Sequence, residues 1–181
     1  RRAPAEIIEP VEEPAGAAER TFDPDDPNLD ALTGLATPDR FDEILDDFEG
    51  DEATVLIVDL DQFANVAEQY GDEVSDRVLR VVADRLVEHC GRHDHLARLD
   101  HDRFAILFTE ADRSTVMGTA KALLHVIDAP LDVEGGPASV SATIALAHQI
   151  GLVDLEDMLD SANAAIRSGK RNGTGKLVLA A

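Results

Sequence analysis

The sequence predicts an α/β (α+β) domain with a mixed, largely antiparallel central sheet and helices covering its faces. Three observations carry that expectation. Ala53–Asp59 is a near-continuous apolar, β-branched run, the pattern of a strand buried on both sides. His95–Leu99 and Arg103–Phe108 are two strand-like segments parted only by Asp100-His101-Asp102, which is a hairpin spacing. Stretches of helical periodicity alternate with these strands along the rest of the chain.

The elements follow in order. Residues 1–28 are Ala, Pro and acid, with Pro4, Pro10, Pro14, Pro24 and Pro27 and almost no large apolar side chain. Such a composition buries too little surface to offset the entropy of ordering, so a disordered linker or tail is expected, with a docking segment around Ile7-Ile8 as the alternative. The folded domain is expected over 29–181, and Arg1 in place of an initiating Met suggests a piece of a longer chain. Thr37-Pro38 offers an N-cap hydroxyl followed by proline at N1, and Phe41, Ile44, Leu45 and Phe48 then recur at helical spacing. Val74, Val78, Val82 and Leu86 step by four along a second, longer helix. After the hairpin, Val116, Ala120, Leu123 and Ile127 mark a helix over roughly 111–128. Glu134-Gly135-Gly136-Pro137 predicts a turn leading into a strand over Val140–Ala147. Asp154 caps a last helix, Leu155–Ser168, and Gly169 and Gly173 are expected to break the chain before a closing strand, Lys176–Ala180.

Charge narrows the function. With 37 acidic and 16 basic residues the formal charge is −21, a field that repels phosphate backbones and anionic membrane surfaces. Nucleic acid is therefore excluded as a partner, whereas a small nucleotide can bind where a cation offsets the field locally. No apolar run approaches the ~20 residues of a membrane span. The polar, Pro-rich start lacks the apolar core of a secretory signal, and the lone Cys90 permits no internal disulfide, so a reducing cytoplasm is expected.

Asp59 closes the buried strand and Asp102 sits in the hairpin turn. Adjacent strands would bring the two carboxylates together, and a close acid pair is costly to ionise without a cation between them. Hard oxygen ligands select Mg²⁺ or Mn²⁺, and metal-bridged acids at a strand end suit nucleotidyl transfer. The alternative is two solvated turn aspartates in a chain rich in them.

Five ordered blocks then carry a resemblance. Asp30-Ala-Leu-Thr-Gly-Leu35 is similar to the "DxLTGL" opening of GGDEF domains. Asp59-Leu-Asp61-Gln-Phe63, Tyr70-Gly71 and Asp76-Arg-Val-Leu79 follow the family's "DxDxFK…ND..GH..GD..L" stretch in register. Arg98-Leu-Asp100-His101-Asp102-Arg103-Phe104 stands where "RxGGDEF" belongs, Val140–Ala147 resembles "vSxSiGiA", and Asp157–Lys170 resembles "LLxxADxALYxAKxxG". The chain is thus identified as a member of the GGDEF, diguanylate cyclase-like family over about residues 30–180. The resemblance implies a ferredoxin-like, polymerase-palm-type fold, and two facing GTP-loaded copies that form cyclic di-GMP. It further implies Asp59 and Asp102 as metal ligands, and Leu60, Asp61, Gln62 and Phe63 as a backbone cradle for the triphosphate. Asp76 would hold the guanine edge and Lys170 would meet phosphate.

The departures from the family pattern set the functional expectation. Asp100 and His101 replace both signature glycines, which elsewhere admit unusual φ and close approach of a ligand. Arg103 reverses the charge of the fourth signature position. Ala67 replaces the guanine-reading Asn, Ala64 the following Lys, and Thr174 an Arg near the C-terminus. Gly91 replaces the Arg of the inhibitory RxxD motif that Asp94 would complete. The resemblance therefore implies a catalytically inactive regulatory or interaction domain that retains metal-dependent GTP binding, with a protein partner or a second copy as its target. The alternatives are a slow or atypical cyclase and a pure docking scaffold.

Three features have simpler readings. Cys90, His93 and His95, with His89 and His101 nearby, match no common zinc spacing and read as surface residues, although His101 would add a softer ligand beside Asp102. Gly135-Gly136-Pro137 is a turn and not a phosphate loop. Lys170-Arg171 also suits the negative end of a helix.

Overall fold

Strand β1 (Glu52–Leu60) is central because both its faces are apolar, and Ala53 to Val58 are all buried. It pairs antiparallel with β3 (Arg103–Phe108) on one side and β6 (Ala142–Ile150) on the other. With β2 (His95–Arg98) beyond β3, and β7 (Leu177–Leu179) parallel to β6, the sheet order is β2-β3-β1-β6-β7. The structure is a computed structural model that describes residues 22–133 and 136–180.

Alternation along each strand divides the core between the two faces. Leu56, Val58 and Leu60 of β1 join Phe104 and Ile106 of β3 beneath α3 (Asp72–Glu88) and α4 (Arg113–Asp128). Val55 and Ile57 join Ala105 and Leu107 beneath α1 (Pro38–Asp46) and α5 (Leu155–Arg171). Phe41 of α1 is fully buried there, and burying a side chain of that size contributes about 1.5–3 kcal/mol. Caps fix where the helices begin. Thr37 accepts from the Arg40 amide ahead of Pro38, Asp112 accepts from Ser114 and Thr115, and Asp154 accepts from Asp157.

The mixed sheet flanked by helices matches the sequence expectation, and four local differences have physical causes. A short helix, α2 (Ala64–Tyr70), follows β1, too brief to show a period. The expected turn at Glu134–Pro137 falls partly outside the described residues, but β4 (Leu131–Val133) and β5 (Gly136–Ala138) pair as a separate small sheet, and β6 begins only at Ala142. Helix α5 does not break at Gly169 but runs on to Arg171. There the glycine admits close packing, since a Cβ would lie 2.9 Å from Val178 Cγ1 on β7. The chain break falls at Gly173, whose φ is +106°. Most of the expected 1–28 tail lies outside the described residues. From Phe22, however, the chain already forms Asp23 and Asp26 turns, and the Phe22 ring covers Gly34.

Candidate functional site

Strand parity brings the site together. Arg103, Asp59 and Thr143 are direct neighbours across β3, β1 and β6. They share the parity of Val55, Ile57, Ala105 and Ala145, and so face α5. On α5, Asn163 and Lys170 stand at an i, i+7 spacing, two turns apart on one side of the helix. The opposing groups meet at the sheet end. Lys170 Nζ donates to Asp59 Oδ1 at 2.6 Å and to the Leu60 carbonyl at 3.2 Å, and lies 3.4 Å from Asp61 Oδ1. Arg103 Nη2 donates to Asn163 Oδ1, while its Nε lies 3.8 Å from Asp59 Oδ2. That Nε is buried and has no hydrogen-bond acceptor among the described residues. Each oxygen of the largely buried Asp59 is therefore in an ion pair.

Asp61 ties three segments together. It accepts from Ser141 Oγ at 2.9 Å, Thr143 Oγ1 at 2.8 Å and the Gly175 amide at 2.8 Å. Immediately after it Gln62 takes φ +53°, the one left-handed non-glycine among the described residues, and turns the chain into α2. The expected four-residue backbone cradle is thus half committed elsewhere. The Leu60 amide donates to the Asp102 carbonyl at 3.0 Å and the Asp61 amide to the Ser141 carbonyl at 2.8 Å. Gln62 and Phe63 donate no backbone hydrogen bond among the described residues.

The hairpin turn survives without glycine. Asp100, His101 and Asp102 all avoid positive φ, and Leu99 N donates to the Arg103 carbonyl at 2.9 Å to close the turn. The Asp100 carboxylate accepts from the His101 amide at 2.7 Å, a local bond that glycine could not supply. Arg98 braces the turn from below, donating to the carbonyls of Asp100 and His101 at 3.2 and 2.9 Å. Its other arm reaches Asp30 Oδ1 at 3.2 Å, where Thr33 also donates. Burial opposes ionisation of Asp30, but the bonds from Thr33 and the Arg98 charge outweigh it and lower its pKa. Asp102 is pushed the other way, raised by burial and by the nearby Asp59 charge, which Lys170 only partly offsets.

The structure therefore unites Asp59, Asp61, Asp102, Arg103 and Lys170 at one end of the sheet. Asp76 sits half-buried on α3 and makes no hydrogen bond or ion pair to that group among the described residues. Phe104 is a fully buried core residue and Phe63 is nearly so. His101 is 96% exposed and lies 4.0 Å from the Asp100 carboxylate. The Cys/His segment gathers no metal site among the described residues. His89 Nδ1 lies 2.9 Å from the Arg85 carbonyl, and burial with the Asp94 charge pushes the Cys90 thiol up to about 12. Lys170 serves Asp59 directly, beyond any role at the helix end. The donor set fits a divalent ion poorly, because the carboxylate of Asp59 already holds one cation on each oxygen. Asn163 and Thr143 were missed in the sequence. Their signals were their spacing from Lys170 on one helix face and their parity with Asp59.

Known proteins share this fold. The family model "Diguanylate cyclase, GGDEF domain" matches residues 27–176. Diguanylate cyclase DosC of Escherichia coli K12 is 26% identical over 132 residues, covering 72% of this chain and 29% of that protein. The chain thus spans less than a third of that relative's length. The GGDEF domain of DgcB from Caulobacter crescentus, solved with c-di-GMP, superposes with a TM-score of 0.80 at 22% identity, covering 85% of this chain and 96% of that one. SiaD of Pseudomonas aeruginosa, a diguanylate cyclase solved with its activator SiaC, gives a TM-score of 0.77 at 22% identity, over 84% of this chain and 61% of that one. Among the described residues, no helix is long and apolar enough to cross a membrane.

Proposed function

The chain belongs to the GGDEF-domain family of cyclic di-GMP signalling, and from that premise we propose that it is a regulatory member that does not cyclise GTP. The observation that carries this reading is Arg103. At the position where the family signature has an acid, its guanidinium turns inward, pairing with Asn163 and Asp59. Groups that act together in a reacting site fail together. Here the guanine-reading Asn, two phosphate-facing cations and the signature acid are all replaced, by Ala67, Ala64, Thr174 and Arg103. What persists is a folded turn, a set sheet end and the amides of Gln62 and Phe63, which donate no backbone hydrogen bond among the described residues, with which to hold a nucleotide such as GTP. A shell of this kind signals by differential affinity for its ligand or its partner, another protein or a second copy, in two states.

The test is product formation. Purified chain incubated with GTP and Mg²⁺ is expected to yield no cyclic di-GMP by chromatography, while calorimetry reports whether GTP binds at all. Steady turnover by the unaltered chain, abolished by Asp59→Ala, would overturn the reading. Restoring the signature with Asp100→Gly, His101→Gly and Arg103→Glu separates a turn defect from a wider one. Activity should stay absent, because Ala64, Ala67 and Thr174 remain unchanged.

A further inference from the structure

We propose that this site has dispensed with its divalent ion: Arg103 and Lys170 are the cations of Asp59, and the domain engages its ligands without Mg²⁺ or Mn²⁺. The inference deepens the regulatory reading above and rests on it for its biological meaning, but its chemistry stands on separate observations. A divalent ion needs carboxylate oxygens with free lone pairs and a net negative shell. Asp59 Oδ1 is held by Lys170 Nζ at 2.6 Å, and Oδ2 faces Arg103 Nε at 3.8 Å. Asp61 cannot stand in, since Ser141, Thr143 and the Gly175 amide already saturate its two oxygens. Asp102 remains, but a single carboxylate is a weak site, and an ion there would sit close to the cations that already neutralise Asp59. Three carboxylates face two fixed cations at this sheet end, so two of the three negative charges an ion would balance are balanced by the chain itself.

Arg103 is the decisive member of this pair. Lys170 belongs to a position the family pattern shares, whereas Arg103 stands where that pattern places an acid. The exchange removes a possible ligand and adds a competing cation in one step. The guanidinium is also fixed, since Asn163 receives its Nη2 and its Nε is buried against Asp59. A guanidinium stays charged at every accessible pH, so Arg103 does not release the carboxylate by losing its own proton.

The experiment is a Mn²⁺ titration of the whole chain, followed by the electron-spin signal of the free ion, with Asp59→Ala as the control for loose binding to so acidic a protein. The unaltered chain and Asp59→Ala are expected to give the same weak, unsaturated uptake. Arg103→Glu should bind Mn²⁺ at least tenfold more tightly, and the double variant Arg103→Glu/Asp59→Ala should lose that gain. Should Arg103→Glu fail to fold, Arg103→Gln tests the same point, because it removes the cation without adding an acid. Saturable uptake by the unaltered chain that Asp59→Ala abolishes would overturn the inference, as would the absence of any gain in the folded Arg103 variants. Mn²⁺ uptake without cyclic di-GMP formation would sink this inference alone, while product formation would sink the regulatory reading as well.

Discussion

Replacing Asp61 with alanine tests how much of the domain's stability is anchored at the site. The carboxylate is almost fully buried and accepts three hydrogen bonds, from Ser141, Thr143 and the Gly175 amide, at 2.8–2.9 Å. Hydrogen bonds to a charged group contribute about 1.5–3 kcal/mol each, though bonds sharing one acceptor group do not sum. Lys170 keeps Asp59 as a partner, so its charge is not orphaned, and the exposed part of that pair adds little. The Thr143 hydroxyl is the most costly loss because Thr143 is fully buried and its donor would have nowhere else to go. Together these place Asp61→Ala at about 3–5 kcal/mol of destabilisation, or roughly 10 °C in Tm for a domain of this size. Urea denaturation followed by circular dichroism, at constant slope, measures it directly. Asp61→Asn keeps one carbonyl acceptor and should lose less. A loss below about 1 kcal/mol for Asp61→Ala would refute the anchoring role.

Two further substitutions probe the same end of the sheet. Asp102 has its pKa raised above the ordinary 3.8 by burial and by Asp59, so its ionised form is disfavoured in the fold. The unfolded chain then ionises first, and stability falls as pH rises through the window just above 3.8. Asp102→Asn should therefore be more stable than the unaltered chain at pH 7, by less than about 1 kcal/mol given its partial exposure, and the difference should vanish on acidification below that window. Melting curves across pH check both the sign and the window. Gly169→Leu should destabilise by about 1–3 kcal/mol despite leucine's better helix propensity. Its Cβ alone would come within 2.9 Å of Val178, and a rise in Tm would show that α5 and β7 pack more loosely than described.

Much of this was legible in the sequence where the signal is local. The run 53–59 predicts the central strand, the three-residue gap between 99 and 103 predicts the hairpin, and Thr37 and Asp154 sit at helix starts with their caps made. The β1–β3 register places Asp59 opposite Arg103, next to the turn that carries Asp102, close enough for its charge to raise the pKa of Asp102. What stayed illegible depends on contacts distant in sequence. Lys170 finds Asp59 only once α5 lies across β1, at a separation no periodicity reports. Gly169 reads as a helix breaker until β7 is known to pack against it. The inward aim of Arg103 was half visible, since its alternation with Ala105 and Leu107 puts it on the α5 face, but its contact with Asn163 forms only once α5 lies across the sheet.

The substitutions also have a common direction. The two family cations missing from this chain, at Ala64 and Thr174, occupied positions that are exposed here, where a cation is free to meet an incoming phosphate. The cation gained, Arg103, lies inside the site with its Nε fully buried. Positive charge has thus moved from the rim of the site to its floor. At the rim a lysine or arginine pays little desolvation and keeps its charge for a ligand; at the floor its field is spent on Asp59 over a few ångströms of weakly screened path. The same movement that weakens capture of a free triphosphate strengthens the contact between α5 and the sheet end. On the proposed reading, this sheet end is part of the framework that holds a surface for a partner, with Arg103 and Asp59 joining α5 to the sheet.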